Sequence, residues 1–141
     1  MKNNIRIKAM LLIIDNGRLL AGKGHDNVKN EDFYRLLGGS LNFNETSEQG
    51  IRREIKEELN SDIENLKLLD VIENIFTYNG NFGHEITFLF KGKLLNQKIN
   101  QKEIIHIMED NYEFDAYWID QKDVLTHKVQ LYPEYDYSKI L

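Results

Sequence analysis

The chain has 141 residues, a formal net charge of −5 and no cysteine. Hydrophobic residues make up 41% of the chain and charged residues 29%, a balance typical of a globular domain rather than a disordered one. The negative charge argues against a nucleic acid polymer as the main partner, because such partners select basic surfaces. The lack of cysteine excludes disulfides and thiolate metal sites and suits a cytoplasmic location. We expect a single domain spanning residues 1–141.

The first part of the chain predicts strands joined by a tight turn. Residues 5–15 contain a nearly continuous apolar run, typical of a strand buried on both faces and too short to span a membrane. Asn16-Gly17 favours a type I′ turn, which predicts a hairpin with a return strand at residues 18–22. We interpret the polar residues 24–32 as a loop and residues 33–37 as a short strand that leads into Gly38 and Gly39.

The next segment predicts a helix at residues 47–59. Thr46 is a suitable N-cap, and Gln49 three residues later would complete a capping box. Asn60 suits a left-handed helix stop. The helix has an apolar stripe that can pack on a core, formed by Ile51, Ile55 and Leu59.

The second half of the chain predicts mainly strands. Ile86, Phe88 and Phe90 alternate onto one face, which is typical of a half-buried strand. Asn79-Gly80 indicates a second hairpin turn. Together with the central helix, these elements predict an α/β or α+β domain. The predicted elements are one or two strands at 66–78, strands at 84–95 and 114–119, a polar loop at 96–102, a segment at 103–108 that is ambiguous between strand and helix, and a short helix from Asp120 to about residue 127.

Three carboxylates on the predicted helix point to metal chemistry. Glu54, Glu57 and Glu58 stand at i, i+3 and i+4 and therefore share one face. Like charges at this spacing destabilise a helix by roughly 0.2–0.5 kcal/mol per pair. A divalent cation such as Mg²⁺, which prefers oxygen ligands, would remove that repulsion. The alternative is an ordinary solvated charged face.

The glycines, Glu45 and the helix together resemble a known motif. Gly39, five residues, Glu45, seven residues and then Arg53-Glu54-Ile55-Lys56-Glu57-Glu58 is similar to the Nudix box, here at about residues 39–61. The resemblance implies an α/β/α sandwich with a mixed β-sheet. It also implies a Nudix pyrophosphohydrolase that cleaves the pyrophosphate bond of a nucleoside diphosphate derivative, such as ADP-ribose, a nucleotide sugar or a (deoxy)nucleoside triphosphate.

The resemblance also implies roles for individual residues of the box. The family's ligands for Mg²⁺ or Mn²⁺ are matched by Glu54, Glu57 and Glu58. Glu54 or Glu57 would be the general base, and Gly39 would offer its backbone carbonyl to the metal. Arg53 would hold one carboxylate in place by a charge-assisted hydrogen bond, and Glu45 would pair with Arg53.

Two further predictions lie outside the box. Many family members use an additional acidic metal ligand on a later loop, and we select Glu103 for this role, with Glu109 and Glu85 as rivals. Arg35 lies in the strand before the glycines, from which its guanidinium could reach a substrate phosphate. Ordinary surface carboxylates and a structural ion pair are the competing interpretations.

We expect the partner to be a small nucleotide rather than a membrane or a polymer, and the resemblance also allows a homodimer. The alternative function is a non-catalytic Nudix-like domain that senses a nucleotide. Three aromatic residues could stack on a base, although core packing is the commoner role: Tyr34, Tyr78 and Phe82. Substrate choice would depend on the loops at residues 24–32, 79–83 and 96–102.

Overall fold

The computed structural model of the chain describes residues 3–109 and 111–141. These residues form nine strands and two α-helices, with short 3-10 turns at Ile99–Gln101 and Tyr137–Lys139. In chain order the elements are β1 (Ile5–Leu12), β2 (Ile14–Asp15), β3 (Arg18–Asp26), β4 (Glu31–Ser40), α1 (Ser47–Leu59), β5 (Ile63–Tyr78), β6 (Asn81–Leu94), β7 (Ile104–Glu109), β8 (Tyr112–Asp120), α2 (Gln121–Leu125) and β9 (Leu131–Tyr132).

The strands form one mixed sheet. Its order is β5-β6-β1-β4-β3-β8-β7, with β2 paired to β3 and β9 paired to β4. β1 and β6 are parallel, as are β4 and β9, and the other pairs are antiparallel. Asn16-Gly17 and Asn79-Gly80 both have positive φ angles at both positions, as a type I′ turn requires, so both hairpin predictions are confirmed.

The sheet separates two hydrophobic cores. Successive side chains of a strand point to opposite faces, so Ala9 and Leu11 enter one core while Met10 and Leu12 enter the other. The apolar stripe of α1 fills the first core, and Val124 of α2 packs into the second. The predicted fold class, an α+β domain with a mixed sheet and helices on both sides, is confirmed.

The bounds of α1 match the prediction, because its start and stop signals are local. The Thr46 hydroxyl accepts a hydrogen bond from the Gln49 backbone N–H, and the Gln49 side chain accepts one from the Thr46 N–H. Asn60 adopts the left-handed conformation with φ of 50° and ends the helix. Within the described residues, no helix is long and apolar enough to cross a membrane.

Several predicted strand bounds are wrong because pairing with neighbouring strands overrides local polarity. The polar stretch 24–32 is only partly a loop, since β3 and β4 continue into it and pair as far as Asp26 and Glu31. β4 also runs through both glycines to Ser40, because Gly38 and Gly39 pair with β1. The ambiguous segment 103–108 forms β7 by pairing with β8.

Candidate functional site

Two elements, α1 and β7, bring three carboxylates together. Glu54 and Glu58 lie one turn apart on α1, and Glu109 ends β7, a strand against which α1 packs. One carboxylate oxygen from each of the three residues lies within 4.8 Å of the others. These three residues are called the carboxylate cluster below. Oxygen ligands at this spacing can share one hard divalent cation.

Glu54 lies directly against the backbone of Gly39. A Cβ atom at position 39 would stand 2.5 Å from the Glu54 carboxyl carbon, so only glycine leaves room for this carboxylate. Glu54 is 5% exposed. Arg53 donates to its Oε1 at 2.9 Å, whereas Oε2 is buried with no hydrogen-bond partner among the described residues. A buried anionic oxygen without a partner fits a site that receives a cation.

Glu58 is held by the other glycine. The Gly38 backbone N–H donates to Glu58 Oε1 at 3.1 Å. Gly38 has a φ of +146°, and a Cβ there would overlap the Ala9 carbonyl oxygen. A larger residue at position 38 would therefore disturb the pairing of β4 with β1, and with it the backbone donor that holds Glu58.

The carboxylate cluster is electrostatically strained when no cation is bound. Burial, followed by the nearby Glu109 and Glu54 carboxylates, raises the pKa of Glu58 to about 9. Burial is also the largest cause of the raised pKa of Glu54. With a pKa of about 9, the Glu58 carboxyl group holds its proton at neutral pH unless positive charge is supplied nearby. The donor set and its electrostatics therefore fit Mg²⁺ or Mn²⁺.

Arg53 orders the side of the carboxylate cluster formed by α1. Its guanidinium donates to both Glu45 oxygens at 2.7 and 2.9 Å and to the Ser40 carbonyl at 3.0 Å. The pairing with Arg53, as the main cause, lowers the pKa of Glu45 to about 2. The expected Arg53–Glu45 pair is thus present, and it fixes the guanidinium that contacts Glu54.

The other predicted site residues are placed as follows. Glu57 lies outside the carboxylate cluster, with its side chain 55% exposed and 3.3 Å from Arg53. Glu103 is exposed and precedes β7, whereas its rival Glu109 joins the cluster. Glu85, the other rival, is 3.0 Å from Arg6 in an ion pair instead. The packing of β7 against α1 brings Glu109, rather than Glu103 or Glu85, to the carboxylate cluster. The spacing of residues in the sequence does not indicate this contact.

A cleft of about 270 Å³ opens beside the carboxylate cluster. Tyr112 connects the two, because it lines the cleft and is directly paired with Glu109 of the carboxylate cluster in the strand register. The cleft combines basic and aromatic side chains. The basic ones are Arg6, Lys8, Lys23, Lys29 and Arg35, and the aromatic ones are Phe33, Phe76, Tyr78, Tyr112, Phe114 and Tyr132.

Four of these aromatic residues contact one another near the turns that close one end of the cleft, namely Phe33, Phe76, Tyr78 and Tyr132. The ring of Phe33 contacts Tyr78 and Tyr132 edge-on, with centroids 5.6 and 5.4 Å apart. Of the three aromatic residues predicted to stack on a base, only Tyr78 is among the cleft residues. Phe82 is 84% exposed outside the cleft, and Tyr34 packs against the second core.

Two of the loops predicted to govern substrate choice meet over this end of the cleft. The Asn27 backbone N–H donates to the Asn79 side chain at 2.7 Å, and the Asn79 N–H donates to Asp26 at 3.2 Å. Lys29 donates to the Thr77 carbonyl at 3.0 Å. These bonds tie the β3–β4 turn to the β5–β6 turn, whereas none of the cleft-lining residues comes from the loop at 96–102.

The chain belongs to the NUDIX domain family, whose model matches residues 5–137. Solved structures share the fold. A NUDIX hydrolase from Nitrosomonas europaea is 16% identical with a TM-score of 0.64, covering 92% of this chain and 82% of its own. A MutT protein from Bacillus halodurans is 16% identical with a TM-score of 0.60, covering 92% and 76%. A MutT NUDIX hydrolase from Burkholderia pseudomallei is 22% identical with a TM-score of 0.56, covering 85% and 86%.

Proposed function

We propose that this protein is a metal-dependent hydrolase that cleaves the pyrophosphate bond of a nucleoside diphosphate derivative. The observation that carries the proposal is the position of the carboxylate cluster beside a cleft that is both basic and aromatic. In the cluster, one carboxylate oxygen from each residue lies within 4.8 Å of the other two. A nucleotide has matching parts, since its phosphates are anionic and its base is a flat aromatic ring.

Glu54, Glu58 and Glu109 would hold Mg²⁺ or Mn²⁺. When bound, the cation would neutralise phosphate oxygens and make water a stronger nucleophile at neutral pH. Gly39 leaves the space that Glu54 needs, and we retain its carbonyl as a candidate ligand. Glu103 is not part of this proposal, because the carboxylate cluster is completed by Glu109.

Side chains of the protein would supply the remaining functions. Arg35 lines the cleft, and its positive charge acts to lower the pKa of Glu58, so its guanidinium could bind the phosphate of a substrate held near the carboxylate cluster. Arg53 touches both candidates for the general base, with Glu54 at 2.9 Å and Glu57 at 3.3 Å. Glu57 is the more exposed of the two and is not one of the proposed metal ligands, so its carboxylate is free to accept a proton from water.

The test is a substrate panel scored for released phosphate, pyrophosphate or AMP. The panel contains nucleoside triphosphates, ADP-ribose and a nucleotide sugar, each with MgCl₂ and with EDTA. We expect turnover with Mg²⁺ and a loss on the order of a hundredfold or more in Glu58→Gln. Glu48→Gln is the matched control, since Glu48 lies on the same helix but is exposed and pairs with Arg52.

Near-normal turnover by Glu58→Gln, or equal rates with EDTA, would contradict the proposal. Nucleotide binding without any product, by the unmodified protein, would instead support the non-catalytic sensor. No observation on the described residues favours that sensor, because the box carboxylates Glu54, Glu57 and Glu58 are all present.

A further inference from the structure

One end of the sheet exposes apolar side chains to solvent. The strands there are β5, β6 and β1, and the side in question is the one that carries the first core. Ile5 and Ile7 share this side with Ala9, because side chains on one face of a strand are two positions apart. Six exposed side chains form the surface, which is called the apolar face below: Ile5, Ile7, Leu68, Val71, Ile75 and Phe82.

Strand register makes the apolar face continuous across the three strands. His84 of β6 pairs with Ile5 on one side and with Ile75 on the other. Phe88, which packs against the first core, pairs with Val71. Directly paired side chains project to the same face, so Val71 and Ile75 lie on the side of the first core. They nevertheless remain 46% and 73% exposed.

The apolar face is larger than a monomer usually leaves in solvent. Its side chains are each 39–84% exposed, and Phe82 is the most exposed of them. A covered aromatic side chain alone buries about 150–250 Å². Six neighbouring side chains therefore present an area on the order of several hundred Å², and contiguous apolar patches of that size indicate an interaction surface.

The polar groups on this surface favour a second copy of the chain as its occupant. Glu73 and His84 lie at diagonal positions on the same face, since Glu73 pairs with Ile86 and His84 with Ile75. Neither Glu73 nor His84 forms an ion pair within the part of the chain that the structure describes. In a twofold dimer every contact occurs twice, so Glu73 can accept a hydrogen bond from His84 of the partner subunit, and the reverse. The surface is thus complementary to itself.

The composition and position of the apolar face also suit a homodimer. Interfaces between identical subunits are more apolar than those of transient complexes, and five aliphatic residues and one phenylalanine match that character. A standard interface buries about 800 Å² per partner, which the apolar face and its polar margin approach. β5 stands at the edge of the sheet, so a partner can approach it without displacing another strand.

We infer that two copies of this chain form a twofold dimer in solution through their apolar faces, with Ile75 at the interface. The cleft stays open in this dimer, because Asn74 and Phe76 alternate with Ile75 along β5 and line the cleft from the opposite face. β5 therefore serves the interface with one face and the cleft with the other. The inference concerns assembly and does not rest on the proposed hydrolase activity.

The first test removes the apolar contact at one position. Analytical ultracentrifugation measures the mass of the unmodified protein, which we expect to be a dimer at about 10 µM. Ile75→Glu should weaken the dimer at least about a hundredfold, because each copy would place an unpaired charge in the interface. Ile104→Glu is the matched control and should stay dimeric, since Ile104 is 53% exposed on β7 at the opposite edge of the sheet. Circular dichroism should show both variants folded, because both positions are exposed in the monomer.

A charge swap tests how the two copies are oriented. Glu73→Lys replaces the carboxylate that accepts from His84 of the partner subunit, and it should weaken the dimer at least about tenfold. Adding His84→Glu to Glu73→Lys should restore the dimer, because opposite charges then meet across the twofold axis.

Three results would overturn the inference. They are an unmodified protein that is monomeric throughout the concentration series, a dimer that Ile75→Glu leaves intact, and equal dissociation by Ile75→Glu and Ile104→Glu. A double variant that stays as weak as Glu73→Lys alone would also contradict it, because the twofold arrangement requires the Glu73–His84 contact. Hydrolysis by a protein that is monomeric would leave the proposed function standing while the dimer fails.

Discussion

At the scale of single residues, close contacts with the backbone fix the positions of the site's carboxylates. The Glu54 carboxylate occupies the volume that a Cβ at Gly39 would need, and Glu58 accepts a hydrogen bond from Gly38 across 20 positions of sequence. The third carboxylate, Glu109, comes from a strand end rather than from the helix. The acidity of the site is therefore a property of packing, since burial and like charges raise the pKa of Glu58.

A matched pair of variants tests which outer carboxylate belongs to the metal site. We expect Glu109→Gln to weaken Mn²⁺ binding at least about tenfold, because it removes one of three converging oxygens. Glu103→Gln should bind Mn²⁺ like the unmodified protein, since Glu103 is exposed and outside the carboxylate cluster. Titration followed by Mn²⁺ electron paramagnetic resonance measures both. A larger loss in Glu103→Gln than in Glu109→Gln would reverse the assignment.

At the scale of elements, α1 determines where two of the three carboxylates stand. Ile51 and Ile55 are fully buried in the first core, so the helix cannot rotate without exposing them. The Thr46 capping box fixes where the helix begins, and Arg53 ties it to the Ser40 carbonyl at the end of β4. The orientation of Glu54 and Glu58 thus follows from the packing of the whole helix.

Removal of the cap tests this dependence on the element. Thr46→Ala should lower the free energy of unfolding by about 1 kcal/mol, because the Gln49 N–H loses its acceptor. Ser47→Ala is the control, since Ser47 follows Thr46 directly but takes no part in the capping box. Urea denaturation followed by circular dichroism measures both variants. Equal losses would show that the capping box contributes nothing beyond helix propensity.

At the scale of the molecule, the carboxylate cluster links folding stability to pH and to metal. Between the ordinary carboxyl pKa of about 4.3 and the raised pKa of Glu58, about 9, the Glu58 carboxyl group is more fully protonated in the folded protein than in the unfolded chain. Stability therefore falls as pH rises through this window. The contribution of Glu45 depends on pH in the opposite direction, because its pKa is lowered to about 2. The stability that Glu45 contributes is therefore lost as pH falls toward that value.

Thermal melting at several pH values tests this linkage. In EDTA we expect the melting temperature to fall between pH 5 and about pH 9, and Glu58→Gln to flatten that decline. Added MgCl₂ should raise the melting temperature more at the upper end of the range, where the carboxylates are ionised and bind the cation. A metal effect that is the same across the range, or a decline that Glu58→Gln leaves unchanged, would contradict the linkage.

The sequence by itself determined the features whose information is local. The bounds of α1, its cap at Thr46, its stop at Asn60 and the two Asn-Gly turns all depend on residues within a few positions of one another. The spacing of the box residues likewise identified the family, and the placement of Glu54 and Glu58 on one helix face follows from the same local periodicity.

Only the tertiary structure decided which distant residues meet. Glu109 reaches Glu54 because β7 packs against α1, and Asn74 and Thr87 both line the cleft because β5 and β6 pair. The polar stretch 24–32 looks like a loop in isolation, but pairing of β3 with β4 makes strands of its ends. Strand pairing and burial depend on contacts far apart in the chain, and the pattern of one segment does not contain them.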